Sequence, residues 1–111
     1  MVAPSAGAVV LVRFPFSDLS GAKLRPAVVL AITEHGDRLL CQVTSNPWGD
    51  KTAIPVTPGN FASGTLRLVS FARPGKLFTA GQSLLVSEVG ILTTELRVRI
   101  VESIVKLLRD A

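Results

Sequence analysis

Arg25 and the adjoining pair Thr44-Ser45 are the residues of this chain whose types could do chemistry together. A guanidinium stays charged and offers a flat fork of donors, and a hydroxyl both donates and accepts, so the three would suit the oxygens of a phosphate. Arg25 closes a polar loop, Phe14-Pro-Phe-Ser-Asp-Leu-Ser-Gly-Ala-Lys-Leu-Arg25, between the apolar runs Val9–Val12 and Ala27–Ile32. Pro26 lacks an amide hydrogen and biases Arg25 toward extended backbone, so the pair marks the entry to a strand. If the strand spanning about Arg38 to Val43 pairs back antiparallel, its far end carries Thr44 and Ser45 toward Arg25. Simpler roles exist for each: an ion pair of Arg25 with Asp18, and the end of a strand followed by a turn for Thr44 and Ser45.

The elements that must position these groups read as a compact antiparallel barrel or half-barrel. Gly7 to Arg13 reads as a first strand, Pro26 to Thr33 as a second, and His35-Gly36-Asp37 as the hairpin turn into a third. Asn46-Pro-Trp-Gly-Asp50 is a second turn, followed by strands over Lys51–Val56 and Thr65–Ala72. Pro74-Gly75 should break the latter before a short piece at Lys76–Thr79. Ser83 to Val89 reads as a further helical turn, bounded by Gly81 and Gly90. Near the end the period changes: Ile100, Val101, Ile104, Val105 and Leu108 mark one face of a helix. Thr93 or Thr94 suits its cap, Glu95 its positive end, and Lys106 with Arg109 its negative end. Residues 1 to 6 read as a flexible arm, and the whole chain, 1–111, as one domain.

Composition narrows the class of partner. Twelve Lys and Arg against eight Asp and Glu give a net charge of +4, which favours a polyanion or an acidic protein segment. The basic residues are spread out, so no basic tail explains the charge. A hydrophobic content of 48% is high for so small a chain and points to contact with a second copy. No apolar run approaches the ~18 residues of a membrane span, and the first residues do not form a signal peptide, so a cytoplasmic location is expected. One cysteine and one histidine do not make a zinc site, and no metal or other cofactor is called for. Cys41 lies in an apolar run and reads as a buried, inert thiol, and His35 as a solvated hairpin residue rather than a general base.

The stretch from Val9 through Arg25-Pro26 to Leu30, with Cys41-Gln-Val-Thr-Ser-Asn46, closely resembles the MazF/PemK toxins. Ser70, Lys76-Leu-Phe-Thr79 and the closing Val89-Gly-Ile-Leu-Thr before the last helix extend the resemblance over nearly the whole chain. It implies an SH3-like antiparallel barrel with a C-terminal helix, a β-rich α+β fold. It also implies a homodimer, and the metal-independent endoribonuclease toxin of a type II toxin-antitoxin pair. The sequence departs from the family pattern in three places: Ala8 follows the first glycine, Lys23 lies in the loop before Arg25, and Arg73-Pro74-Gly75 lacks the carboxylate of an Arg-x-Asp pair found in some branches.

Metal-independent cleavage of single-stranded RNA uses the substrate's own 2′-hydroxyl as nucleophile. Arg25 would stabilise the phosphate as negative charge develops, which suits an arginine better than proton transfer does. Thr44 would orient a phosphate oxygen, and the group that accepts the proton is left unassigned. Phe16, Ser17, Lys23, Ser45, Asn46, Ser70, Arg73 and Lys76 are the candidate RNA contacts. Phe16 and Trp48 would stack bases or, equally, pack locally. The regulator would be an antitoxin whose acidic, flexible segment occupies the RNA groove. Two other functions fit the barrel: gyrase inhibition by binding, and RNA binding without cleavage. The helix end Leu107-Leu-Arg-Asp-Ala111 lacks the aromatic residue of the gyrase poisons.

Overall fold

The computed structural model describes residues 4–14 and 23–111. These form β1 (Ala8–Phe14), β2 (Lys23–Ile32), β3 (Arg38–Thr44), β4 (Ile54–Val56), β5 (Phe61–Gly64), β6 (Ser70–Ala80), β7 (Leu85–Leu92) and the helix α1 (Thr94–Arg109). Among the described residues the strands make one sheet of seven in the order β4-β6-β3-β2-β1-β7-β5, with every pairing antiparallel. The sheet curls into a half-barrel with β4 and β5 as its two edges, as expected of an SH3-like architecture with a C-terminal helix.

The centre of the sheet explains the unbroken apolar run of β2. Ala27, Val28 and Val29 are all buried, although alternate side chains point to opposite faces. Val28 joins Val9, Cys41, Val43, Ile54, Val56 and Ala72 on one face, where α1 adds Leu96, Ile100 and Ile104. Ala27 and Val29 join Ala8, Val10, Val12 and Leu40 on the other. A strand covered on both faces has no solvent side to mark with polar residues. On α1, Leu96, Ile100 and Ile104 recur every fourth residue, and burying each contributes about 1.5–3 kcal/mol. The Thr93 hydroxyl caps the helix by accepting the Leu96 amide hydrogen at 3.3 Å. Val105 and Leu108, assigned from sequence to the packed face, are exposed instead, because the seam runs through Leu96 and leaves the last turn beyond the sheet.

Four other expectations are corrected. β6 passes straight through Pro74-Gly75, because Cys41 pairs with Leu77 and Val43 with Ala72, leaving Arg73 to Lys76 in a bulge opposite Gln42. A proline is tolerated there, having no ladder hydrogen bond to lose. Thr65–Val69 is loop, and the edge strand lies earlier, at Phe61–Gly64. That strand can sit against β7 because glycines face each other in the register Gly64↔Gly90. A Cβ on Gly64, at φ +68°, would come within 2.1 Å of the Val89 carbonyl oxygen. The expected helical turn over Ser83–Val89 is a short 3-10 turn at Gln82–Leu84, followed by β7. The fourth strand is likewise shorter than expected, since residues 51–53 belong to the preceding turn.

Candidate phosphate-binding cleft

Arg25 lies in β2, opposite Val12 of β1. On its other side the ladder to β3 runs through Ala27↔Gln42, and that register continued by two residues sets Arg25 across from Thr44. Both line a cleft of about 440 Å³. Ser45, Ser70, Thr65 and Arg67 add polar groups to its wall, while Leu11, Leu24, Pro26, Val43, Leu66, Leu68 and Val89 make the wall mostly apolar. The cleft thus holds two guanidinium-bearing residues and four hydroxyl-bearing ones, and among the described residues no carboxylate lines it. An anion would find its charge complemented there, by two arginines that are both exposed and therefore reachable from solvent.

The hydroxyls are not equivalent. Thr44 donates its Oγ1 hydrogen to the Asn46 carbonyl at 3.1 Å and accepts the Asn46 amide hydrogen at 3.2 Å. That local bonding holds the hydroxyl at the end of β3, and its hydrogen would have to turn away from Asn46 to meet a ligand. Ser70 is buried and donates to the Leu68 carbonyl at 3.0 Å, so it shapes the 65–69 loop from beneath. Ser45 is exposed at the rim.

The remaining predicted contacts are distributed elsewhere. Lys23, Asn46, Arg73 and Lys76 do not line the cleft. Asn46 is a turn residue whose side-chain oxygen accepts the Trp48 amide hydrogen at 3.0 Å. Arg73 donates from Nε to Asp50 Oδ2 at 2.9 Å and, half-buried, fastens the 45–53 loop to β6. The Thr52 hydroxyl and then Arg73 lower the Asp50 carboxyl from 3.8 to about 2. Phe16, Ser17 and Asp18 lie outside the described residues. Sequence reading missed Thr65 and Arg67, because their segment was taken for a strand. The signal available was Gly64, which ends a strand and turns the chain toward the cleft.

Other sequence readings find their place. Cys41 is buried, donates from Sγ to the Arg73 carbonyl at 3.1 Å, and is pushed up to about 12 by desolvation. His35 is exposed in the turn between β2 and β3, at φ 65°. No helix among the described residues is long and apolar enough to cross a membrane.

Comparison with solved structures decides the fold. A MazE-MazF complex from Deinococcus radiodurans contains a chain that superposes with a TM-score of 0.76 at 18% identity, covering 96% of this chain and 97% of that one. The chain has the MazF fold. An endoribonuclease from a mycobacterial species superposes at 0.71 with 18% identity, over 97% of this chain and 93% of that one. A mycobacterial endoribonuclease in complex with its cognate antitoxin does so at 0.63 with 18% identity, over 95% and 91%. No family model matches the sequence, and no curated protein does.

Proposed function

We propose that this protein is the toxin of a toxin-antitoxin pair and a metal-independent endoribonuclease acting on single-stranded RNA in the cytoplasm. One observation carries the reading: Arg25, Thr44, Ser45 and Arg67 line one cleft that, among the described residues, contains no carboxylate. The MazF fold of the chain and the endoribonucleases among its structural neighbours support it.

In this mechanism the 2′-oxygen of the substrate attacks the adjacent phosphorus, the bond to the 5′-oxygen breaks, and the products carry a 2′,3′-cyclic phosphate and a 5′-hydroxyl. Arg25 holds the non-bridging oxygens and stabilises the charge that builds on them. Thr44 orients the phosphate by a hydrogen bond, and Arg67 neutralises charge from the opposite loop. DNA lacks the nucleophile and would bind without being cut. Two copies of the chain form the working unit in this reading, and the cognate antitoxin covers the basic cleft with an acidic segment; the MazE-MazF complexes among the neighbours support an antitoxin partner.

Incubating the purified chain with mixed-sequence RNA in EDTA tests the proposal. Fragments ending in cyclic phosphate are expected. Intact RNA over a range of enzyme concentrations would refute the enzymatic reading.

A further inference from the structure

The sequence contains a single tryptophan, Trp48, and that residue is 76% exposed. Its backbone lies at φ 55°, in the left-handed region that a bulky side chain adopts only under constraint. Four contacts fasten the loop that imposes this conformation: Thr44 with Asn46, the Asn46 side chain with the Trp48 amide, Asp50 with Arg73, and Asp50 with Thr52. An aromatic ring is therefore held outward at a cost in backbone energy, where folding alone would favour glycine at this position and a buried indole.

We propose that Trp48 is a stacking platform for an unpaired base next to the phosphate gripped in the cleft. The inference rests on the RNA reading above and adds to it a residue that touches the base rather than the phosphate. Two observations select a nucleobase over an apolar protein surface. The exposed residues around it in the loop, Ser45, Asn46, Gly49, Lys51 and Thr52, are polar, cationic or glycine, so within its own loop the indole has no exposed apolar neighbour. Ser45 lines the cleft only three residues earlier, and three extended residues reach at most about 11 Å. A flat π-face within that radius suits a base whose backbone is already held. Because every base has a π-face, the platform adds affinity and orientation more than base identity.

The lone tryptophan makes its own probe. The full chain is titrated with a random pool of single-stranded oligoribonucleotides, 2′-O-methylated to block cleavage, while indole emission and the anisotropy of a dye-labelled pool are followed together. Quenching of Trp48 in step with the anisotropy is expected. Trp48→Gly should bind about tenfold or more weakly, and Trp48→Phe should recover most of the loss. Trp48→Gly should also melt no lower than the parent, since glycine accepts the left-handed backbone. Binding by anisotropy with unchanged emission and an unweakened Trp48→Gly variant would overturn the platform and leave the RNA reading standing. Emission that responds to a polyglutamate peptide but not to the oligonucleotides would also overturn it, by assigning the ring to a protein partner. No binding at all would remove both.

Discussion

The cleft beside α1, about 720 Å³, is larger than the one at the mouth of β2 and β3, about 440 Å³, yet the smaller one has the stronger claim to a ligand. The helix cleft sets Arg99, Lys106 and Arg109 among Glu102 and Asp110, and Lys106 already pairs with Asp110 at 3.4 Å. The strand-mouth cleft has Arg25 and Arg67 and, among the described residues, no acid. Volume measures where a molecule is rough. Charge against an apolar wall with no acid beside it measures where an anion would gain by binding, and among the described residues only the strand-mouth cleft has it. Arg73 stands between these cases: it is basic and predicted to touch RNA, but its charge is spent on Asp50 to build a loop.

The widest expected gap between the clefts is catalytic. Arg25→Ala should lower RNA cleavage by about a hundredfold or more, the scale for losing one donor to transition-state charge, with the melting temperature held. Arg109→Ala in the helix cleft should leave the rate as it is. Equal rates for parent and Arg25→Ala would place the chemistry elsewhere.

The parts of this contrast that the sequence disclosed are those with short-range signatures. A Val-rich run and a Gly-containing turn sufficed for β1 to β3, although β2 begins at Lys23, before the Arg-Pro boundary read as its entry, because β1 extends the ladder as far as Phe14↔Lys23. With their register came the meeting of Arg25 with Thr44 at one cleft. The parts that stayed hidden depend on contacts distant along the chain. β5 is defined by two glycines, Gly64 and Gly90, that let strands approach, and β7 runs through two register shifts against β1 that blur its alternation. With β5 missed, the segment bearing Arg67 was read as strand and its cation overlooked. Arg38 gave no sign of burial either, since a charged residue at a strand start reads as solvated. In the structure its guanidinium donates to the carbonyls of Pro4 and Gly36 and is almost wholly covered.

Within the smaller cleft, the hydroxyl of Thr44 should matter less than the guanidinium. Thr44→Val removes one hydrogen bond to the phosphate, and cleavage should fall about tenfold, the equivalent of about 1.4 kcal/mol. Thr44→Ser should restore most of the rate. A serine variant as slow as the valine one would mean that the methyl group, not the hydroxyl, positions the substrate.

Asp50 sharpens the distinction between a cation that is spent on a carboxylate and one that lines a cleft holding no acid among the described residues. Asp50→Asn leaves the Arg73 guanidinium without its carboxylate and should lower stability by about 1 kcal/mol, a fall of roughly 5 °C in melting temperature. The carboxyl is held near 2 in the folded chain against 3.8 otherwise, so its contribution is complete above about pH 4 and is lost as the pH falls toward 2. Over that window the parent should lose its advantage over Asp50→Asn. A constant difference in melting temperature between the two would show that the Asp50 charge is not what stabilises the loop.

The smallest effect belongs to the helix cleft. Lys106 and Asp110 are both well exposed, 79% and 63%, and the order of a base four residues before an acid is the weaker one on a helix. Asp110 also stands at the negative end of the helix dipole, where an acid is unfavourable and Lys106 favourable. Lys106→Ala therefore removes a screened pair and a modest dipole term, for a loss below about 0.5 kcal/mol, while Asp110→Ala should be neutral or slightly stabilising. Neither should change cleavage. A loss of several degrees from Lys106→Ala, or a slowed reaction, would mean that this end of α1 is covered by something in solution. The charges there would then be compensated by a partner as well as by each other, and the contrast between the two clefts would have to be redrawn around an interface.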